Sequence, residues 1–456
     1  MSDNNQMSFF ERASVWIKQS ISIRLFTMGI LILLLLIPVS MIESLIRERE
    51  ERQTEAIQEV SAIWGGEQTI KGLVLSVPYK THTKVYEAGS NEKYKIEESI
   101  AYAHFLPEAL KMEGELNPEQ RYRGIYEVIV YHSSWQVSGY FTKPNFEDLS
   151  VPDANILWDD AVVSLGLSDL RSIQNNITLM WNKQSCFFNP GLPSNDVIGN
   201  GISVPVKLNG KDSLGANIPF SLALNFNGST SINFVPLGKV SEFSVKSAWQ
   251  NPSFVGAFLP DERNIATTGF SANWKVLHLN RPYPQAFKGA TSGIDESAFG
   301  VNLFVPVDEY QKSMRSAKYA AMFITLTFLI FFFVQIINGI RIHPVQYIMV
   351  GLALCVFYTL LIAISEHLAF HWSYIIASLS IILLITLYAK SIFNDKRLTT
   401  LLALILCILY LFIYAIIQME DYALLMGSIG IFIVLALVMY LSRKINWYAV
   451  KTQQNK

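Results

Sequence analysis

The stretch "LLIAISEHLAFHWSYIIA", residues 360–377, places one glutamate and two histidines between two runs of almost purely apolar residues. The apolar segment around it spans residues 348–388. A helix needs about 20 apolar residues to cross the hydrocarbon core of a bilayer, since each residue adds about 1.5 Å. The segment is therefore too long for one crossing. Glu366 and His367 lie near its middle and are predicted to close a tight turn between two transmembrane helices.

Six segments of the chain are long and apolar enough to cross a membrane. The first, residues 25–42, continues into the polar sequence "ESLIREREERQ" without the small residues that precede a cleavage site. It is therefore predicted to be an uncleaved signal anchor. The other five follow Lys318 in quick succession, at residues 319–337, 347–364, 369–388, 398–417 and 424–441.

The Lys and Arg residues of the short loops predict the orientation of these helices, because cytoplasmic loops carry an excess of them. If the N-terminus is cytoplasmic, eleven Lys and Arg residues lie in the short inner segments, and none lies in the outer turns 365–371 and 418–422. Both termini are therefore expected in the cytoplasm. The predicted organisation is a cytoplasmic N-terminus (1–24), the signal anchor (25–42), an outer domain (43–317), a five-helix transmembrane block (318–441) and a cytoplasmic tail (442–456).

The outer domain is predicted to begin with a helix, which ends at Gly65-Gly66, and to continue as a mainly antiparallel β structure. In "GFSANWKVLHL", residues 269–279, apolar and polar residues alternate, as is typical of a strand with one buried face. Asn227-Gly228 separates two alternating runs and predicts a hairpin, since such a turn needs positive φ. The predicted fold class is an α-helical membrane protein with six transmembrane helices and a β-rich extracytoplasmic domain.

Five segments spread along the chain are similar to those of one family of bacterial membrane proteins. They are "GLVLSVPY" (72–79), "HFLPEAL" (104–110), "SAWQNPSFVGAFLP" (247–260), "RIHPVQYIMVGLALCVFYTLLIAISEHLAFHWSYIIAS" (341–378) and "INWYAV" (445–450). With the layout of anchor, β-rich domain and helical block, they resemble the CreD family, also called cell envelope integrity proteins. The resemblance implies the inner membrane of a Gram-negative bacterium, a periplasmic outer domain and a role in envelope maintenance, in some bacteria controlled by a system that responds to β-lactam stress. It supplies no catalytic residues, because the family has no assigned reaction.

Glu366, His367 and His371 form the best local group of chemically reactive side chains. In a continuous helix the two histidines would share a face and could hold a metal ion with Glu366 nearby, but no third protein ligand is evident. We therefore predict no metal site and no cofactor. The three residues are expected to act at the outer interface, or to dock the β-rich domain onto the helical block. A metal site or a protonation-linked role is the alternative.

The charge pattern bears on function. A net charge of −1 gives no indication of a nucleic-acid partner. Transporters and proton relays usually carry ionisable residues deep in their helices, and the five C-terminal spans have no Asp, Glu, Lys or Arg well inside. The sequence thus predicts a non-enzymatic protein of envelope integrity and stress response, which contacts the lipid bilayer and, through its outer domain, periplasmic or envelope proteins. A transporter or membrane-embedded enzyme that uses the five-helix block is the alternative, and the oligomeric state is left open.

Overall fold

The computed structural model describes residues 21–86, 94–208, 217–303, 309–419 and 422–443. These residues form two compact units, a helical unit within Met1–Arg52 and Val307–Lys456 and a β-rich unit within Gln53–Pro306. The predicted fold class is confirmed, because apolar helices are combined with two large and mainly antiparallel sheets.

Seven α-helices lie in the described part of the chain. Their bounds are α1 Ile21–Trp64, α2 Glu309–Lys318, α3 Ala320–Ile337, α4 Pro344–Ser365, α5 Phe370–Phe393, α6 Lys396–Gln418 and α7 Ala423–Ser442. By length and composition, α1, α3, α4, α5 and α6 can cross a membrane, whereas the apolar core of α7, Leu425–Tyr440, is shorter. The five helices predicted after Lys318 are α3 to α7, each within a few residues of its predicted bounds.

Local chemistry explains where α4 and α6 begin. Helix α4 starts at Pro344, a position where a missing backbone N–H removes no helical hydrogen bond. The ring Nδ1 of His343 accepts a hydrogen bond from the Val345 N–H at 3.3 Å, and the His343 N–H donates to Gln346 Oε1 at 2.8 Å. At α6 the carboxylate of Asp395 accepts from the Arg397 N–H at 2.7 Å. Each cap satisfies N–H groups that have no partner inside the helix.

Helix α1 differs from the sequence prediction of an anchor followed by a separate helix. The structure has one helix of 44 residues over Ile21–Trp64. The connecting sequence "SMIESLIREREERQ", residues 40–53, contains no glycine or proline that would end the helix. Glu48 and Arg52, four residues apart on this helix, form an ion pair at 3.0 Å. Helix α1 ends as predicted at Gly65, where φ is +135°. The sequence did not predict the short polar helix α2.

The β-rich unit contains seventeen described strands in two sheets. The strands are β1 Gln68–Tyr86, β2 Tyr94–Phe105, β3 Ala109–Arg123, β4 Tyr126–Thr142, β5 Val162–Leu167, β6 Thr178–Trp181, β7 Gln184–Phe187, β8 Asn189–Pro190, β9 Gly201–Pro205, β10 Asn217–Ser229, β11 Ser231–Val235, β12 Val240–Ser247, β13 Pro252–Gly256, β14 Glu262–Ala266, β15 Gly269–Leu277, β16 Ala286–Lys288 and β17 Phe299–Leu303. The first sheet has the order β13-β17-β11-β1-β5-β9-β8, with β2 paired to β1 and β16 to β2. The second has the order β14-β15-β12-β3-β4-β10-β6-β7. Among these described strands only β1 with β11 and β3 with β12 pair in parallel.

Side chains from both sheets pack together in one hydrophobic core. On β15 the residues Phe270, Ala272, Trp274 and Val276 are buried while their neighbours are more exposed, which confirms the predicted alternation. The rings of Trp135 from the second sheet and Phe234 from the first lie 5.0 Å apart, edge to face. This arrangement is favourable for aromatic pairs beyond the area they bury. The two sheets therefore share one core.

The hairpin predicted at Asn227-Gly228 is wrong. Both residues lie inside β10, where they pair with His132 and Tyr131 of β4. The chain turns later, at Thr230, whose φ is +58°, and then enters β11 in the other sheet. Glycine is needed at position 228 for another reason: a side chain there would overlap the ring of Tyr131. The Asn-Gly pair therefore marks a close approach between neighbouring strands and not a turn.

Candidate functional site

The turn predicted around Glu366 is present between α4 and α5. Helix α4 ends at Ser365 and α5 begins at Phe370. The N–H of Glu366 still donates to the Ile362 carbonyl at 3.2 Å, and those of His367 and Leu368 donate to the Ile364 carbonyl at 3.0 and 2.9 Å. These bonds satisfy carbonyl groups that the end of a helix leaves without partners. Four residues therefore suffice to reverse the chain.

The side chain of Glu366 forms an ion pair with Arg49 of α1. Arg49 Nε and Glu366 Oε1 lie 3.5 Å apart, and the two side chains are 39% and 14% exposed. The separation is compatible with electrostatic attraction but exceeds the usual length of a hydrogen bond. Among the described residues this oxygen of Glu366 has no hydrogen-bond donor. Within the helical unit, the pair therefore ties the C-terminal end of α4 to α1.

The two histidines of the turn are exposed and do not converge with Glu366 on a metal site. His367 and His371 both reach solvent in the structure. The ring of His371 lies 5.0 Å from that of Trp372. Across the described ranges, no group of three His, Cys, Asp or Glu side chains is arranged to hold a metal ion. Docking of the β-rich domain by Glu366, His367 and His371 stays a prediction.

A buried hydrogen-bonded group that sequence reasoning missed lies in the β-rich unit. Ser76 of β1 and His104 of β2 are direct neighbours across the strand pair. The Ser76 Oγ lies 2.9 Å from His104 Nδ1, and His104 Nε2 lies 3.1 Å from Asp196 Oδ2. Ser76 and His104 are buried, whereas the Asp196 side chain is 32% exposed. The group thus connects two strands to the loop that carries Asp196.

The chemistry of the three side chains fixes the proton positions. A carboxylate only accepts, so His104 Nε2 carries a hydrogen and donates to Asp196. Nδ1 then accepts from the Ser76 hydroxyl. Burial lowers the pKa of His104 below its ordinary value, although the hydrogen bond and charge of Asp196 act in the opposite direction. His104 is therefore neutral at neutral pH, and the contact with Asp196 is a hydrogen bond rather than an ion pair. Because Ser76 is only 3% exposed, its hydroxyl is shielded from a substrate in solution.

A concave polar surface lies on the second sheet, where β3, β12, β14 and β15 run side by side. It encloses a volume of about 660 Å³. Its charged lining residues are Lys111, Glu113, Glu242, Asp261, Glu262 and Lys275. Lys111 pairs with Glu113 at 2.7 Å and Lys275 with Glu242 at 3.4 Å. Asp261 and Glu262 make the lining net negative. We call this surface the sheet groove.

The polar side chains inside the apolar helices α3 to α7 are mostly uncharged. The Tyr374 hydroxyl of α5 donates to the Tyr410 carbonyl of α6 at 2.8 Å. The Tyr347 hydroxyl of α4 donates to Gln335 Oε1 of α3 at 2.9 Å. Residues 320–337, 344–365, 372–389, 398–418 and 423–442 contain no Asp, Glu, Lys or Arg. Inside these five segments the helices therefore meet through neutral hydrogen bonds and apolar packing, as is common between membrane helices.

The sequence matches the family model described as Inner membrane protein CreD over residues 20–448. The chain belongs to the CreD family. It is 32% identical over 428 residues to the Inner membrane protein CreD of Escherichia coli (strain K12), an alignment that covers 93% of each chain. Membership of the CreD family and the apolar helices together make the chain an inner-membrane protein that crosses the membrane several times.

The crystal structure of an M1 zinc metallopeptidase from Deinococcus radiodurans superposes on part of this chain. The superposition covers 47% of this chain and 53% of the metallopeptidase, with 7% identity and a TM-score of 0.19. So low a score carries no argument about fold or function.

Proposed function

We propose that this CreD-family chain is a non-enzymatic protein of cell envelope integrity and stress response, whose β-rich domain contacts periplasmic or envelope proteins. The observation that carries the proposal is the contrast between the two units. Helices α3 to α7 contain no Asp, Glu, Lys or Arg well inside a span, whereas the β-rich unit has an open and charged concave surface. Transporters and proton relays usually carry charged residues deep in their helices.

The proposed location of the β-rich domain is the periplasm, with both termini in the cytoplasm. The excess of Lys and Arg in the short inner segments supports this orientation. Fusions of a reporter that is active only outside the cytoplasm test it. A fusion after residue 200 should be active and one after residue 395 inactive. Activity on the same side for both fusions would refute the orientation.

The sheet groove is the proposed partner surface, because it is concave, polar and open. A photo-crosslinking amino acid at Ser244, which lines the groove, should capture a defined envelope protein when the full chain is irradiated in native membranes. The same amino acid at the exposed Glu296 is the matched control. A specific adduct from position 244 that is absent from position 296 supports the proposal. Equal labelling from both positions, or no adduct from position 244, contradicts it.

We further propose that Glu366, His367 and His371 dock the β-rich domain onto the helical block. Replacing Glu366 and His367 with alanine should then raise protease sensitivity near residues 44–66 or 300–316, with unchanged metal content. If the three residues form a metal site instead, the double variant should lose bound zinc while its protease pattern stays as in the parent. That second result overturns the docking proposal.

A further inference from the structure

Strands β1 and β2 extend beyond their sheet as a two-stranded ribbon. Residues 80–86 of β1 pair with residues 94–100 of β2. Strand β16 pairs with the other edge of β2 only at residues 103–105. Within the described ranges, no strand pairs with residues 94–101 on the side away from β1. This length of β2 is therefore a free sheet edge.

Two hydrogen bonds show which backbone groups face the free edge. The Gly289 N–H donates to the Tyr102 carbonyl at 3.2 Å, so Tyr102 faces away from β1. The Thr81 hydroxyl donates to the Ser99 carbonyl at 3.2 Å, so Ser99 faces β1. Because direction alternates along a strand, Ile96, Glu98 and Ile100 point their N–H and C=O groups outward. These three residues present six backbone groups to a partner.

The side chains of the same residues lie together on one face of the ribbon. Ile96 and Ile100 are 57% and 61% exposed, which is unusual for large aliphatic side chains on a free edge. Glu98 lies between them and forms an ion pair with Lys80 of β1 at 2.6 Å. In the sequence, positions 94, 96, 98, 100 and 102 read Tyr, Ile, Glu, Ile, Tyr. The order of these five side chains is therefore the same when β2 is read from either end.

We propose that the free edge of β2 pairs with β2 of a second copy of this chain, antiparallel and centred on Glu98. Each Ile96 then lies opposite Ile100 of the second copy, and the six outward backbone groups of each copy form six hydrogen bonds between them. A two-fold axis requires a self-complementary surface, and the symmetric pattern of β2 provides one. Each Glu98 faces its counterpart, but Lys80 of its own chain neutralises its charge.

The opposite edge of the ribbon shows why β2 and not β1 is the pairing strand. On β1 the side chains on the same face include Lys80, His82 and Lys84. Pairing of two β1 edges would place lysines opposite each other, and charged edges of this kind prevent strand addition. The free edge of β2, in contrast, presents the apolar side chains of Ile96 and Ile100.

The interface is small compared with those of stable soluble dimers. Two copies anchored in one membrane are confined to a plane, which raises their effective concentration and compensates for a small contact. This inference does not depend on the proposed function, because the ribbon and the sheet groove are different surfaces of the β-rich unit.

Disulfide trapping of the full chain in native membranes tests the pairing. Opposed residues of a hydrogen-bonded antiparallel pair have Cα atoms about 5.5 Å apart, within the range of about 4.4–6.8 Å that a disulfide spans. Glu98→Cys should therefore form a covalent homodimer under mild oxidation. Ser99→Cys is the matched control, because its counterpart lies on a diagonal about 7–8 Å away. The parent chain controls for the three native cysteines.

A second variant tests the role of the isoleucines. In the Glu98→Cys background, Ile96→Lys with Ile100→Lys should abolish the homodimer, while the exposed positions of both side chains keep the fold and its melting temperature unchanged. A homodimer from Glu98→Cys at several times the yield of Ser99→Cys supports the proposal. Equal yields from the two variants, or an adduct with the mass of another protein, overturns it.

Discussion

The hydrogen-bonded group of Ser76, His104 and Asp196 makes the stability of the β-rich unit depend on pH. The unfolded chain protonates histidine near its ordinary pKa of about 6.5, whereas burial lowers the pKa of His104 in the fold. The stabilising contribution is therefore fully present above about pH 6.5 and is lost as pH falls toward the lowered pKa, since the unfolded chain then binds more protons. One proton changes the free energy of unfolding by at most about 1.4 kcal/mol per pH unit.

Asp196→Asn is the informative perturbation. The amide oxygen can still accept the hydrogen bond from His104 Nε2, but the negative charge that raises the pKa of His104 is removed. The pKa of His104 should therefore fall further. The free energy of unfolding then continues to decrease down to a lower pH than in the parent. Asp196 is about one third exposed, which weakens its charge by solvent screening. We expect the variant to lose about 0.5–1 kcal/mol more than the parent between pH 7.5 and pH 5.

Pulse proteolysis in urea measures this free energy for the full chain in detergent at each pH. Asp159→Asn, at an exposed position of the same unit, is the matched control and should follow the parent. If Asp196→Asn and the parent lose the same stability between pH 7.5 and pH 5, the assignment of a neutral His104 stabilised by a charged Asp196 is refuted.

Two further predictions concern packing and charge. Arg49→Gln and Glu366→Gln should each lower the free energy of unfolding of the helical unit by about 1–2 kcal/mol in SDS-induced unfolding. The double variant should lose less than the sum of the two, because both substitutions remove the same partly buried ion pair. Additive losses would contradict the pair. Gly114→Ala should lower the free energy of unfolding in urea by about 1–3 kcal/mol, since the added methyl group would overlap the Trp135 ring. Gly66→Ala is the control and should lower it clearly less, because the space around position 66 is open. Equal losses of stability would refute the packing argument.

The helical block could be predicted from the sequence because membrane helices obey a strong local rule. Every backbone group in lipid must be satisfied within its own segment, so length and apolarity alone locate α3 to α7. Glu366 in the middle of an apolar run marked a turn for the same reason. The partner of Glu366 could not be predicted, since Arg49 belongs to another helix and no local pattern links two positions more than 300 residues apart.

The buried group around His104 was missed for a related reason. Ser76 and His104 meet only because of the register between β1 and β2, and Asp196 reaches them from a distant loop. A signal was nevertheless present. Ser76 lies in the otherwise apolar run "GLVLSVPY", and His104 opens "HFLPEAL". A polar residue inside a buried strand needs a hydrogen-bond partner. Ser76 and His104 therefore each indicate that another polar group lies nearby, but the sequence does not show which group it is.

The failure at Asn227-Gly228 shows where local turn chemistry stops being informative. Asn-Gly between alternating runs favours a two-residue hairpin because both residues tolerate positive φ. In this chain the Tyr131 ring covers position 228, and its hydroxyl donates to the Ser231 carbonyl at 2.8 Å, just beyond the point where the chain leaves one sheet for the other. Only glycine allows the ring to approach so closely. The same residue therefore serves a contact between strands β4 and β10, and the reversal falls on Thr230, which carries no turn signal of comparable strength. A glycine in a strand-like sequence thus has two physical meanings, and only the position of the neighbouring aromatic ring distinguishes them.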